Sequence, residues 1–248
     1  CTFMGRYAEA RGYLEESLAL ARELGDQNRI AAVLQPLGQV CVGEGDFEQA
    51  VRYSEESITV ARAVGNPRQL ATALNGYAQL LRLQRDLIRA EAMYEEVVQI
   101  LAGLGDRESV AIAQLNLAVV AMERGRFDAA RALLGQALQA ATSLGSQMVG
   151  QATLDMVAGL NAEAVQHSLA VQFFGAAEAQ AERSGLRRDS ADAAFLLPLI
   201  ERARRAVGEA AAALQAEGAG WGYEDAIRRA AELLARPVSA SDGSITPD

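Results

Sequence analysis

The sequence predicts an all-α solenoid of helical hairpins, and three observations carry that reading. Laid over itself at a spacing of 40 residues, the chain aligns Gly25, Gly65, Gly105, Gly145 and Gly185. The first four are each followed by a side chain able to cap a helix, namely Asp26, Asn66, Asp106 and Ser146. Small residues recur in two further registers, one through Gly38, Ala78, Ala118 and Ala158 and one through Ala50, Ala90, Ala130 and Ala170. Agreement at a fixed period marks a repeat array, in which no unit buries its apolar face alone and stacking builds the core.

Residues 106–145 form the most regular copy. Val110, Ala113, Leu117, Val120 and Ala121 fall on one side of a first helix at spacings of three and four. Phe127, Ala130, Leu134, Ala137, Leu138 and Ala141 do the same in a second, after a turn at Arg124-Gly125-Arg126. A glycine that can enter the left-handed region then stops the helix. On this template residues 7–24 are an orphan second helix, and four hairpins follow. They pair residues 27–43 with 47–64, 67–83 with 87–104, 107–123 with 127–144, and 147–163 with 167–184. Pro67 suits a first helical position, whereas Pro36 falls inside a helix and predicts a kink.

The period stops after Gly185, so the chain divides into a solenoid over 1–185, capping helices over 186–235 and a tail over 236–248. The cap reads as a helix at 190–207 interrupted by Pro198, a short one at 209–217 and an amphipathic one at 223–235. The tail carries Pro, Ser and Gly without periodicity, a composition expected to be disordered.

A large apolar residue, a small one and an Ala twelve positions later, as in Leu37-Gly38 to Ala50 and Leu117-Ala118 to Ala130, resembles the tetratricopeptide repeat in a longer form of about 40 residues. The resemblance implies a right-handed superhelical solenoid that binds proteins or peptides without catalysis. A second, narrower resemblance lies near the end. Phe173-Phe174-Gly175-Ala176-Ala177-Glu178-Ala179, then Arg204-Arg205-Ala206-Val207-Gly208, Glu217-Gly218 and Glu224-Asp225-Ala226-Ile227 are similar to the endings of large bacterial transcriptional regulators of the maltose-activator and antibiotic-regulatory-protein type. That likeness implies a sensor or assembly segment, with DNA-binding and ATPase domains elsewhere. The start at Cys1 and the unpaired first helix agree with a fragment of a longer protein.

Composition narrows the function further. Half of the 248 residues are hydrophobic and only 5% aromatic, a balance suited to Ala- and Leu-rich hairpins. All 23 basic residues are Arg, yet the net charge is -9 and no basic stripe is present. That argues against nucleic acid and acidic membranes as direct partners. Two cysteines, Cys1 and Cys41, give no disulfide framework, and Cys41 falls in a core register. With neither a signal peptide nor a long apolar run, a cytoplasmic setting is expected.

Little in the sequence carries chemistry. No phosphate-binding loop occurs, and Gly43-Glu44-Gly45 and Gly218-Ala219-Gly220-Trp221-Gly222 read as turns. A single histidine, His167, stands at a helix start, and no Cys cluster accompanies it, so no metal or other cofactor is expected. The carboxylate pairs Glu15-Glu16, Glu55-Glu56 and Glu95-Glu96 repeat on the outer helix as solvated surface, and no enzyme is predicted.

The tetratricopeptide resemblance places a ligand groove along the first helices. Its register carries over to Gln35, Asn75, Leu115 and Asp155 in one row and Gln39, Gln79, Val119 and Gly159 in the next, with Arg82 a turn beyond. Amides suit hydrogen bonding to an extended peptide backbone, and the same amides would equally face water. Two functions therefore stand side by side. One is a module that binds a protein, a peptide, a small effector or other domains of the same polypeptide. The other is a constitutive scaffold or homo-oligomer built through exposed ends.

Overall fold

In a computed structural model, residues 7–188 and 190–236 are described, and every regular element among them is helical. In chain order these are α1 (Tyr7–Glu23), α2 (Gln27–Glu44), α3 (Phe47–Val64), α4 (Pro67–Leu83), α5 (Leu87–Gly103) and α6 (Arg107–Glu123). They continue with α7 (Phe127–Leu144), α8 (Gln147–Glu163), α9 (His167–Ser184), α10 (Ser190–Val207), α11 (Ala211–Ala219) and α12 (Tyr223–Leu234). The solenoid of hairpins expected from the 40-residue register is thus an all-α array of helix, turn and helix.

Local chemistry sets these boundaries. The Asp26, Asp46, Asp86 and Asp106 carboxylates accept from backbone N–H groups three residues on, at 3.0, 3.1, 3.2 and 3.2 Å. Each satisfies a donor that has no partner inside its helix. At the other ends Gly25, Gly65, Gly105, Gly145 and Gly185 adopt φ between 66° and 71°. The turns inside the hairpins need the same left-handed residue. Gly45 and Gly125 supply it in two of them, but Arg85 (φ 64°) and the β-branched Val165 (φ 60°) fill the equivalent positions in the others. The sequence pattern did not reveal those two.

The chain divides into two compact units, Cys1–Ala113 and Gln114–Asp248. In the first, α1 to α5 pack in sequential pairs, and α4 also packs on α2. Its core gathers Leu18, Ala21, Ile30, Val33, Leu34 and Leu37, with Leu14, Tyr53 and Val60 packed against them. Cys41 is fully buried and free, and desolvation raises its thiol above the usual range. Helix α2 runs through Pro36 without a break in its assignment. Outer carboxylates repeat their ion pairs at the sequence period, with Arg22 2.5 Å from Glu56 and Arg62 2.9 Å from Glu96. Such exposed pairs stabilise by well under about 1 kcal/mol.

In the second unit α8 pairs with α7 and α9, and α10 lies on both α8 and α9. The interruption expected at Pro198 is absent, because α10 continues through it. The short helix expected at 209–217 begins instead as a 3-10 turn, Gly208–Ala210, before α11. Two glycines let α11 press on α9. A Cβ on Gly218 would fall inside the contact distance of the Gln172 carbonyl oxygen, and one on Gly175 would collide with that of Gln215. Helix α12 covers α7, α8 and α9, and Arg131 caps its end by donating from Nη1 to the Leu233 carbonyl at 2.7 Å. Cys1 and most of the carboxy-terminal tail lie outside the described residues. Among the described residues, no helix is long and apolar enough to cross a membrane.

Candidate functional site

The candidate groove positions that carry a side chain fall into two groups, five in the first unit and three in the second, where Gly159 completes the register. In the first unit α2 presents Gln35 and Gln39, and α4 presents Asn75 and Gln79. Gln39 is exposed, while Gln35, Asn75 and Gln79 are half-buried. Because residue 76 is glycine, Gln35 can lie across α4. Its Nε2 is 3.4 Å from the point where a Cβ would stand on Gly76. The register therefore places these amides on the neighbouring helices α2 and α4, at or near the surface.

Arg82 does not join them as an accessible cation. It is 6% exposed, and its buried Nη1 makes no hydrogen bond. A groove position in the last turn of α4 implies contact with solvent, but the neighbouring packing removes this guanidinium from water.

The three residues of the second unit are also closed to an outside ligand. Leu115 and Val119 are buried, at 6% and 0% exposure, as apolar side chains commonly are. Asp155 is 2% exposed for a different reason. Arg188 donates to its two carboxylate oxygens, from Nε at 2.9 Å and from Nη2 at 2.7 Å. Burial pushes the Asp155 carboxyl above the usual range, against the pull of Arg188. One turn along α8, the missing side chain at Gly159 is replaced by α10, whose Phe195 and Leu196 stand 3.3 and 3.5 Å from the position a Cβ would take. Helix α10 thus occupies the stretch of α8 that the repeat register assigns to a ligand.

Around Phe174 the cap forms a connected polar layer that the sequence did not reveal. The Arg188 and Arg204 guanidinium carbons lie 5.0 and 5.1 Å from the ring centroid. Arg204 donates to the Gln215 Oε1 at 2.6 Å, and the Gln215 Nε2 donates to Glu178 at 2.8 Å. Desolvation raises the Glu178 carboxyl. Trp221 meets Phe173 edge-on at 5.4 Å, and Arg229 stacks on Trp221 at 4.6 Å. Every group here is engaged by another part of the same unit, so the layer reads as a clamp on the cap. His167 stands alone at the start of α9 with Nδ1 buried and unbonded. Among the described residues no three His, Cys, Asp or Glu side chains converge as metal ligands.

The family model described as "Tetratricopeptide repeat" matches residues 1–63 and 69–145. No curated protein matches the sequence significantly. Among solved structures, the crystal structure of BtubC (BKLC) from P. vanneervenii is similar, with a TM-score of 0.60, 20% identity and 98% of each chain covered. At that identity the likeness concerns the fold.

Proposed function

The chain belongs to the tetratricopeptide-repeat family, whose helical arrays serve as protein-interaction scaffolds, and from this premise we propose that it binds an extended peptide or protein segment noncatalytically along α2 and α4. The observation that carries the proposal is the contrast between the two units. Amides at Gln35, Gln39, Asn75 and Gln79 reach the surface, whereas the equivalent row of α8 is covered by α10. Primary amides offer both donors and acceptors, so they can pair with a peptide backbone whatever its side chains.

The carboxy-terminal string around Phe173, Phe174 and Gly175 supports a finer reading, in which the chain is the sensor or assembly segment of a larger bacterial transcriptional regulator. A ligand that favours one arrangement of the hairpins over another would shift the equilibrium between resting and active forms by its differential affinity. The experiment is to select linear peptides from a random display library against the whole chain and retest them on Gln39→Ala with Gln79→Ala. Selected peptides are expected to lose about tenfold or more in affinity. Equal binding to both proteins would overturn the groove assignment.

One observation favours a scaffold that self-associates. Tyr13 and Leu20 on α1, and Leu24 just past its end, are 62%, 52% and 77% exposed. Under that reading, sedimentation across a concentration series should give a rising weight-average mass that Tyr13→Ser with Leu20→Ser abolishes. A concentration-independent monomer would rule it out.

A further inference from the structure

Three helical registers that hold small residues elsewhere in the array hold larger ones at a single place. Position 97 is Val, where Ser17, Ser57, Ala137 and Ala177 stand in the other copies. Position 101 is Leu, where Ala21, Ala61, Ala141 and Ala181 stand. Position 112 is Ile, in a register with Ala32, Thr72 and Ala152. These three deviations fall on the consecutive helices α5 and α6. They line one pocket of the first unit, with a volume of about 190 Å³.

The pocket has an apolar interior and a neutral rim. Val97, Leu101, Ala71 and Ala113 are buried and form its interior, while Ile112 is 38% exposed at its mouth. Thr72 and Arg68 are also exposed, so the cavity opens to solvent. The rim polar groups already have partners. The Thr72 hydroxyl donates to the Arg68 carbonyl at 3.0 Å, and the Arg68 guanidinium lies 2.5 Å from Asp106. Hydrogen bonding from Arg68 holds the Asp106 carboxyl below the usual range, so the two charges compensate each other. What remains unsatisfied is apolar surface. A charged ligand would gain nothing here, and the volume is below the roughly 300 Å³ of pockets that hold drug-sized molecules.

We infer that this pocket takes one branched aliphatic side chain, of leucine or isoleucine size, from the peptide segment bound along α2 and α4. The inference rests on the proposed peptide-binding function and names its specificity. Asn75 lines the pocket and belongs to the amide row, so a backbone held by the amides can drop one side chain into it. A desolvated pocket ringed by contacts that exclude water is the setting in which a single side chain can carry much of the binding energy.

The test uses the whole chain with methyl-labelled Ile, Leu and Val, titrated with N-acetyl-leucinamide and, separately, N-acetyl-alaninamide. Saturable shifts are expected at the Ile112, Val97 and Leu101 methyls, with the alanine probe weaker by about tenfold. Ile112→Ala, which removes a wall, should weaken the leucine probe by a similar factor, and Thr72→Trp at the exposed mouth should exclude it. Each variant is read beside its own melting curve, and a folded variant that keeps wild-type affinity overturns the proposal. So does an equal response to the two probes, or no shift at the three residues. Display-selected peptides that depend on Gln39 and Gln79 yet leave the Ile112 methyl unmoved would sink the pocket and spare the groove. Probe binding without any selectable peptide would do the reverse.

Discussion

Gly218→Ala is expected to destabilise the protein by about 3 kcal/mol, the upper end of what overpacking a close contact costs. The reason is that the added Cβ meets backbone atoms of Gln172, which cannot rotate away as a side-chain tip would. Helices α9 and α11 must separate, and with them the stack of Trp221 on Phe173 at 5.4 Å. Trp221 is the sole tryptophan, so urea unfolding followed by its fluorescence reads this place directly. Gly135→Ala is the matched control. Gly135 lies within α7 with open space around it, and alanine there should stabilise by about 0.5 to 1 kcal/mol. An unfolding midpoint for Gly218→Ala equal to wild type would refute the close-crossing account.

Asp155→Ala should cost about 3 kcal/mol, because it leaves the Arg188 guanidinium, only 17% exposed, without its carboxylate. The pair itself need not stabilise the fold, since burying both charges offsets much of their attraction. The double variant Asp155→Leu with Arg188→Met is therefore expected to recover most of the loss. Chemical denaturation of the three proteins checks this. A double variant as unstable as Asp155→Ala would mean that the loss comes from something other than the unpaired charge.

These two sites mark where the sequence stops being readable. Helix boundaries were legible because their causes are local. A left-handed glycine and a capping side chain one residue later act within a few positions, and the 40-residue register repeated them until chance was excluded. The groove amides Gln39 and Gln79 followed from the same register and reach the surface. Leu115, Val119 and Asp155 followed from it too, yet they are buried. For Asp155 the cause is α10 and Arg188, which lie past Gly185, where the period ends and nothing in the spacing tells where the helix docks. Arg82 followed from the register as well, and it is packed away. Arg85 and Val165 take left-handed conformations without the glycine that would advertise them. The larger residues at Val97, Leu101 and Ile112 were legible in principle. Finding them requires searching the register for deviations in size instead of agreement.

Helix α10, lodged over Gly159, also changes the competition that an outside ligand would face. It is tied to α9 through residues 185–189, so its local concentration at α8 is on the order of millimolar. A free helix would have to outbind an occupant that never diffuses away, and ordinary ligands at micromolar abundance are excluded on concentration alone. Within the second unit the row on α8 is therefore closed by the chain itself, a state that no change in ligand abundance within the micromolar range would reverse.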